Sequence, residues 1–410
     1  MPKGEQQHPA FSASMTSEGK TKLSRREMLK ASLSASGAAL VGFHDLWLPT
    51  LFRGARGDAF QKGKYLGLIE FVGEGLMPME IPMGAGLDGR LYTDLSAITP
   101  DNPITANEKF YVRTRVSELL KDRTPWLIRL RGLRNRPMQI SMADLRKMSR
   151  PAGLHLMECS GNVRFAHFGM LSVADWTGAP VSKILASLRI EKAASRVLIS
   201  GFDRYPIASS TSLPGASWIF TVDELNSSKA FFATEMNGLS LPKDHGAPVR
   251  LVVPGWYGCT CIKWVNEIAL IGGDAPATSQ MQEFATRTMQ QGVPELARDY
   301  RPAIIEQAAM PIRVEKRLVD RKIEYRVNGI AWGGSRPVHG LQIRFNPGED
   351  FVPVDDFKQT VNDPWSFWTH AWAPTKPGIY SIQLRVKDIS VPSRRLEAGY
   401  YVRSVEVTEI

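Results

Sequence analysis

Four short segments near the C-terminal end alternate apolar and polar side chains: 323–329 (IEYRVNG), 341–345 (LQIRF), 380–386 (YSIQLRV) and 401–407 (YVRSVEV). Successive side chains leave a strand on opposite faces, so a period of two marks a strand buried on one side. The same residues wound into a helix would scatter their apolar groups around the whole circumference. Asn346-Pro347-Gly348-Glu349 and Lys376-Pro377-Gly378 supply turns between such segments. From about residue 311 the chain therefore reads as stacked antiparallel strands, a β-sandwich.

At 410 residues the chain exceeds what one ordinary hydrophobic core organises, and two domains plus extensions are expected. Upstream of residue 311 the pattern is mixed. A Gly- and Pro-rich connector covers 58–90, and 126–133 alternates like a strand ending in a turn. Ser141 with Asp144 three residues on forms a capping box that predicts a short helix over 142–148. Val181, Ile184, Leu185 and Leu188 share one helical face, while 197–201 and 249–255 predict short buried strands. A helix is expected around 280–291, within a long excursion before the sandwich. Strands and helices interleave irregularly, which predicts an α+β domain over 58–310. An all-β, immunoglobulin-like domain over 311–410 follows it. The latter holds no cysteine, so the antibody-type disulfide is excluded.

Charge and cysteine content remove several function classes. The net charge is +10, but residues 1–57 hold eight Lys/Arg against four Asp/Glu, which leaves the body only mildly basic. No clustered basic stripe is present and no nucleic-acid partner is expected; a modest positive face suits an acidic small protein or an oxyanion. Three cysteines without a Cys-x-x-Cys pair argue against a disulfide framework, a zinc site and covalent haem. Near the start, Ser24-Arg25-Arg26-Glu27-Met28-Leu29-Lys30 precedes an uncharged stretch of small and apolar residues at 31–43. Paired arginines before a weakly hydrophobic run predict a twin-arginine export signal over 1–57, and so a periplasmic protein exported already folded. No clean cleavage site follows, which leaves retention as a membrane anchor open.

The chemistry concentrates at Glu158-Cys159-Ser160-Gly161-Asn162-Val163-Arg164. A strand-like run, 154–157, delivers a thiol to a tight Gly-Asn turn, with a guanidinium five residues on. A strand end holds a side chain rigidly while leaving one side open, and a soft thiolate there suits a transition metal. Read alone, Cys159 could also be a small buried apolar group. A second anchor reads Glu235-Met236-Asn237-Gly238, then Leu241-Pro242-Lys243-Asp244-His245-Gly246-Ala247-Pro248-Val249-Arg250, and shortly afterwards Lys263-Trp264.

Together these strings resemble the sulfite oxidase family, whose Cys-Ala-Gly-Asn-Arg-Arg signature carries the cysteine that binds molybdenum in a pterin cofactor. The resemblance extends from about residue 100 to the end, including Ala331-Trp332-Gly333-Gly334 at the start of a dimerisation domain. It implies Cys159 as metal ligand, and Cys159, Arg113 and Arg164 as the catalytic set. It further implies cofactor contacts at Tyr111, Val112, Arg113, Thr114, Arg115, Asp203, His245, Arg250, Cys261, Ile262 and Lys263. Arg250 is the type of residue that can hold a phosphate in bidentate fashion. Asp175-Trp176-Thr177-Gly178-Ala179-Pro180 resembles a stretch lining the family's substrate channel. Two family features lack clear counterparts. The tyrosine beside the metal is absent from 284–289, with Tyr300 further along. The anion-binding arginine of the β-domain is also not evident, and His370 lies in its region.

What the resemblance implies is a molybdenum–molybdopterin enzyme that oxidises sulfite or a related sulfur oxyanion by oxo transfer. No haem or flavin motif is present, so a separate c-type cytochrome is the expected electron acceptor, and a homodimer is the expected assembly. Reduction of an S-oxide such as methionine sulfoxide, or a non-enzymatic exported binding protein, are the other readings the sequence leaves open.

Overall fold

The computed structural model describes residues 63–75, 80–81, 89–114, 125–132, 138–188, 191, 193–203, 211–213, 215–359 and 364–410. The paired arginines, the apolar stretch at 31–43 and Arg115 lie outside the described residues.

Among the described residues, the upstream part builds two sheets. The first runs Ser217–Phe220, Arg196–Gly201, Val265–Ile271, Leu127–Gly132 and Met138–Ser141. It is antiparallel except where Val265–Ile271 lies parallel to Leu127–Gly132. The second is antiparallel, in the order Leu239–Ser240, Phe231–Met236, Leu171–Pro180 and Arg150–Glu158, with Arg250–Val252 also paired to Phe231–Met236. A small sheet of Glu80–Ile81, Gly89–Leu91 and Val112–Thr114 stands apart. One parallel pair among antiparallel ones is the irregular α+β arrangement the pattern predicts, without a βαβ repeat.

The helix Met142–Met148 forms where the capping box places it. Asp144 N–H donates to Ser141 Oγ at 3.1 Å and Ser141 N–H to Asp144 Oδ2 at 3.2 Å, which satisfies two otherwise free donors. The helix expected over 280–291 is shorter, Ser279–Phe284. A 3₁₀ turn, Thr286–Thr288, follows it, and Met289 closes that turn in the left-handed region at φ 66°.

Downstream, the alternating segments become strands of two five-stranded sheets. One is ordered Lys64–Ile69, Ala308–Val319, Lys322–Trp332, Trp365–Trp372, Asp356–Phe357; the other Val352–Pro353, Leu341–Arg344, Gly378–Val386, Arg403–Val407, Phe71–Val72. The expected boundaries change here. Lys64–Ile69 and Phe71–Val72 are not connector or upstream domain; they complete the edges of the two downstream sheets. Residues Ala55–Ile410 accordingly form one compact unit. An open edge is a row of unpaired backbone groups, and these N-terminal strands cover one edge of each sheet. A buried ion pair, Arg403 to Glu74 at 2.6 Å, fastens the same junction.

The packing is tight where Trp368 lies across Gly329. A methyl group on Gly329 would sit 2.1 Å from the Trp368 ring and 2.5 Å from the Met310 carbonyl oxygen. Gly329→Ala is therefore expected to destabilise the fold by about 2 kcal/mol, the usual cost of overpacking a rigid core. Urea unfolding would show it as a lowered midpoint at constant slope.

Candidate active site

Cys159 sits one residue beyond the Arg150–Glu158 strand, and both sides of its turn are tied down. Its N–H donates to Met170 O at 3.0 Å, and its carbonyl accepts from Asn162 N at 2.9 Å. Asn162 Oδ1 in turn accepts from Met170 N at 3.1 Å. The buried thiol faces a cavity of about 160 Å³. Its other walls come from the Val112–Thr114 strand, the His245 turn, Arg250 and the 258–264 segment. Of the expected cofactor residues, Tyr111, Val112, Arg113, Asp203, His245, Arg250, Cys261, Ile262 and Lys263 all line this one cavity. Gly246 makes the convergence possible: at φ +110°, its missing side chain lets Arg250 and Lys263 approach the turn, where a methyl would lie 3.0 and 3.1 Å from them.

Burial dominates the electrostatics of this cavity. It lowers the His245 pKa to about 4, aided by the Arg250 and Lys263 charges, so the ring is neutral near pH 7. His245 Nε2 lies 3.1 Å from Asn107 O, and the ring packs edge-on to Phe110. Burial also pulls the Lys263 ammonium down and lifts the Asp203 carboxyl; each one's charge opposes the other's shift. Lys263 Nζ donates to Arg113 O at 3.0 Å and Asp244 O at 2.9 Å. Arg250 is already engaged. Its terminal nitrogens donate to His245 O and Cys261 O, both at 3.1 Å, so the two-pronged phosphate grip expected of it is not available. Its role in this arrangement is to tie two wall segments together.

Three buried polar atoms of the cavity walls have no hydrogen-bond partner: Asp203 Oδ1, Arg250 Nε and Gln280 Oε1. Buried polar groups are rarely left so, and three around one cavity fit a polar guest with donors and acceptors of its own. Among the described residues, no group of three or more His, Cys, Asp or Glu could hold a metal ion.

A second cavity of about 440 Å³ shares Arg113 with the first and is lined also by Ser160, Gly161, Arg287, Arg395 and Tyr400. A methyl built on Gly161 would lie 3.5 Å from Arg113 Nη1, 3.6 Å from Arg287 Nη1 and 3.9 Å from Cys159 Sγ. Two guanidinium groups thus flank Gly161 near the thiol. Arg395, from the short helix Arg394–Glu397, reaches in between Tyr257 and Tyr400, 4.8 and 5.0 Å from their ring centres. Its Nη2 donates to Ser160 O at 3.1 Å and to Arg287 O, while Nη1 is buried without a partner.

Several expectations are corrected by this geometry. Arg164 lines neither cavity; it is exposed on the 3₁₀ turn Arg164–Ala166, where the chain folds back after Asn162. Trp176 is fully buried in the core, with its Nε1 3.4 Å from His155 O, and does not face a channel. His370 is also elsewhere, 3.2 Å from Asp355 and stacked on Phe345, with burial lowering its pKa. Of the downstream residues it is Arg395 and Tyr400, not His370, that line the second cavity. Tyr300 is buried away from both cavities, its phenol pushed up to about 12 by burial. Of Thr114, only the strand-end backbone is described. Sequence reasoning missed Arg287, Arg395, Gln280 and the surroundings of Glu158. The last three are brought in by tertiary contacts that no local motif announces; Arg287 stands in the 284–289 segment, where the family resemblance points to a tyrosine and not to an arginine.

Comparison with known proteins agrees with the site. Residues 115–279 match the oxidoreductase molybdopterin binding domain. Human mitochondrial sulfite oxidase is 24% identical over 330 residues, covering 76% of this chain and 59% of that protein. Chicken sulfite oxidase is 27% identical over 331 residues, 75% of this chain and 69% of its own length. Nitrate reductase [NADPH] of Beauveria bassiana is 26% identical over 268 residues, 57% of this chain but 29% of that protein. This chain thus spans less than two thirds of the first and the last of these relatives. In fold, it is similar to the sulfane dehydrogenase SoxCD from Paracoccus pantotrophus, with a TM-score of 0.60 at 17% identity, over 91% of this chain and 96% of that one.

The matched domain and the cavity beside Cys159 define a molybdopterin-dependent oxidoreductase, which implies a molybdenum cofactor. Within that class, the chain is related to the sulfite oxidases named above and, in fold, similar to the sulfane dehydrogenase SoxCD.

Proposed function

We propose that this protein oxidises a small sulfur oxyanion, sulfite or a close relative, and passes the electrons singly to a separate c-type cytochrome. The observation that carries this reading is that Arg113 and Arg287 line one cavity near the Cys159 sulfur, where positive charge can hold an oxyanion against the redox centre. Cys159 would be the protein's ligand to the metal. Asp203 Oδ1, Gln280 Oε1 and Arg250 Nε would complete the polar contacts of the pterin, with Lys263 and neutral His245 beside them. The bound cofactor would supply two-electron oxo transfer. The protein's own part is to fix the thiolate in its turn, exclude bulk water from a buried site, and orient the anion through Arg113. Export through the paired arginines at 25 and 26 would place this activity in the periplasm, loaded before translocation, with the downstream sheets serving homodimer formation.

A steady-state assay of the metal-loaded protein with sulfite and oxidised cytochrome c tests the reading. Turnover dependent on sulfite is the expected result. Turnover of a sulfoxide by reduced dye, with none of sulfite, would reassign the protein to S-oxide reduction.

A further inference from the structure

We infer that Arg287 forms with Arg113 a two-guanidinium fork that selects anions carrying two negative charges over singly charged ones of the same shape. This deepens the proposed use of the larger cavity as the substrate's, and rests on that reading for its biological meaning.

The geometry is the first argument. The two Nη1 atoms lie 3.5 and 3.6 Å from one point, the position a methyl on Gly161 would take, and Cys159 Sγ lies 3.9 Å from it. Like charges lining one cavity repel, and an anion between them relieves that repulsion. No Asp or Glu lines this cavity among the described residues. The nearest carboxylate on Arg287 is Glu283, one turn back, at 4.0 Å from its Nη2. That contact is long and lies at the limit of an ion pair. Arg287 also packs over Phe284 at 5.3 Å, which orients the guanidinium without neutralising it.

The second argument is the staple behind the fork. Arg395 Nη2 donates to the carbonyls of both Ser160 and Arg287, and so fixes the Cys159 turn against the segment bearing Arg287. Its buried Nη1, unpartnered and on the cavity wall, adds positive potential on the same side. A fork held by a third arginine is preorganised, which is what discrimination by charge requires. Arg395 acts here as a positioning residue and Arg287 as the binding one.

Isothermal titration of the metal-loaded protein with sulfate and with methanesulfonate tests the inference, since methanesulfonate replaces one charged oxygen by a methyl. Wild type is expected to prefer sulfate by about tenfold or more, the worth of one charge-assisted contact. In Arg287→Gln that preference should fall close to parity, with Arg287→Lys intermediate, because an ammonium restores charge but not the planar fork. Gly161→Ala is the independent check. The contacts its methyl would make are ordinary ones, so the fold accommodates it, yet it narrows the space beside Arg113, Arg287 and the sulfur and should weaken sulfate binding. A sulfate preference unchanged within about twofold in Arg287→Gln, at wild-type metal content, overturns the inference. Intact preference in a wild type that does not oxidise sulfite would overturn the substrate reading and leave the fork standing.

Discussion

Cys159→Ser is expected to lower turnover by more than about 100-fold while leaving the fold intact. Residues that merely orient a metal ligand already cost about 10- to 100-fold when changed, so loss of the ligand itself should cost more. Serine has nearly the same shape and fits the same turn, whose hydrogen bonds run through the backbone and Asn162 and not through the sulfur. What changes is the donor: a soft thiolate is replaced by a hydroxyl that does not ionise near neutral pH. Elemental analysis for molybdenum, beside unfolding by urea, separates loss of metal from loss of fold. A variant that kept both full metal and full activity would remove residue 159 from the reaction.

The second large effect is expected one residue away. Glu158 is fully buried, and its carboxylate accepts from Trp332 Nε1 at 2.8 Å, Tyr401 OH at 3.1 Å and Asn162 Nδ2 at 3.4 Å. Burial raises its pKa, and the Arg395 charge followed by the three donors opposes that rise. Glu158→Ala removes the acceptor and strands Trp332 Nε1 and Tyr401 OH away from water. An orphaned buried donor costs about 1–3 kcal/mol, so a loss of about 3 kcal/mol is expected for the pair. Glu158→Gln should cost less, because its amide oxygen still accepts one of these bonds. Urea midpoints of the two variants provide the comparison, and equal values for alanine and glutamine would mean that the bonds carry no net stability. The same network fixes the strand end that presents Cys159, so the downstream sheets help to set the position of the thiol. Tyr400 OH adds to it by donating to the Asn162 carbonyl.

Legibility in the sequence followed the range of the interactions. The capping box at Ser141 and Asp144 acts within one helical turn, and the helix begins and ends as its spacing predicts. The strict alternation over 380–386 reports burial of one face; 323–329 also forms a strand, but from Tyr325 on both its faces are covered, Arg326 and Asn328 included, because tertiary packing buries its polar alternates too. The string from Cys159 to Asn162 is a local turn, and its backbone-to-backbone partners lie within about a dozen residues. His245, Arg250 and Lys263 were found because the chain keeps their mutual spacing, and they do line one cavity. Arg164 failed for a related reason. Its distance along the chain from Cys159 is short, but the 3₁₀ turn points it outward, and spacing alone does not fix direction.

By itself, the sequence determined where strands alternate, where a thiol is offered at a strand end, and which basic residues accompany a pterin-type cavity. Those properties depend on neighbours within a turn or a strand, and periodicity or a motif records them. Only the tertiary structure decided that Trp332, Arg395 and Tyr401, 174 to 243 positions from their partners at the Cys159 turn, would close around it. It likewise decided that Lys64–Ile69 would join a downstream sheet. The physical reason is that hydrogen bonds and buried charge are satisfied by whatever the packing brings near, and the packing of distant segments leaves no periodic trace in the chain.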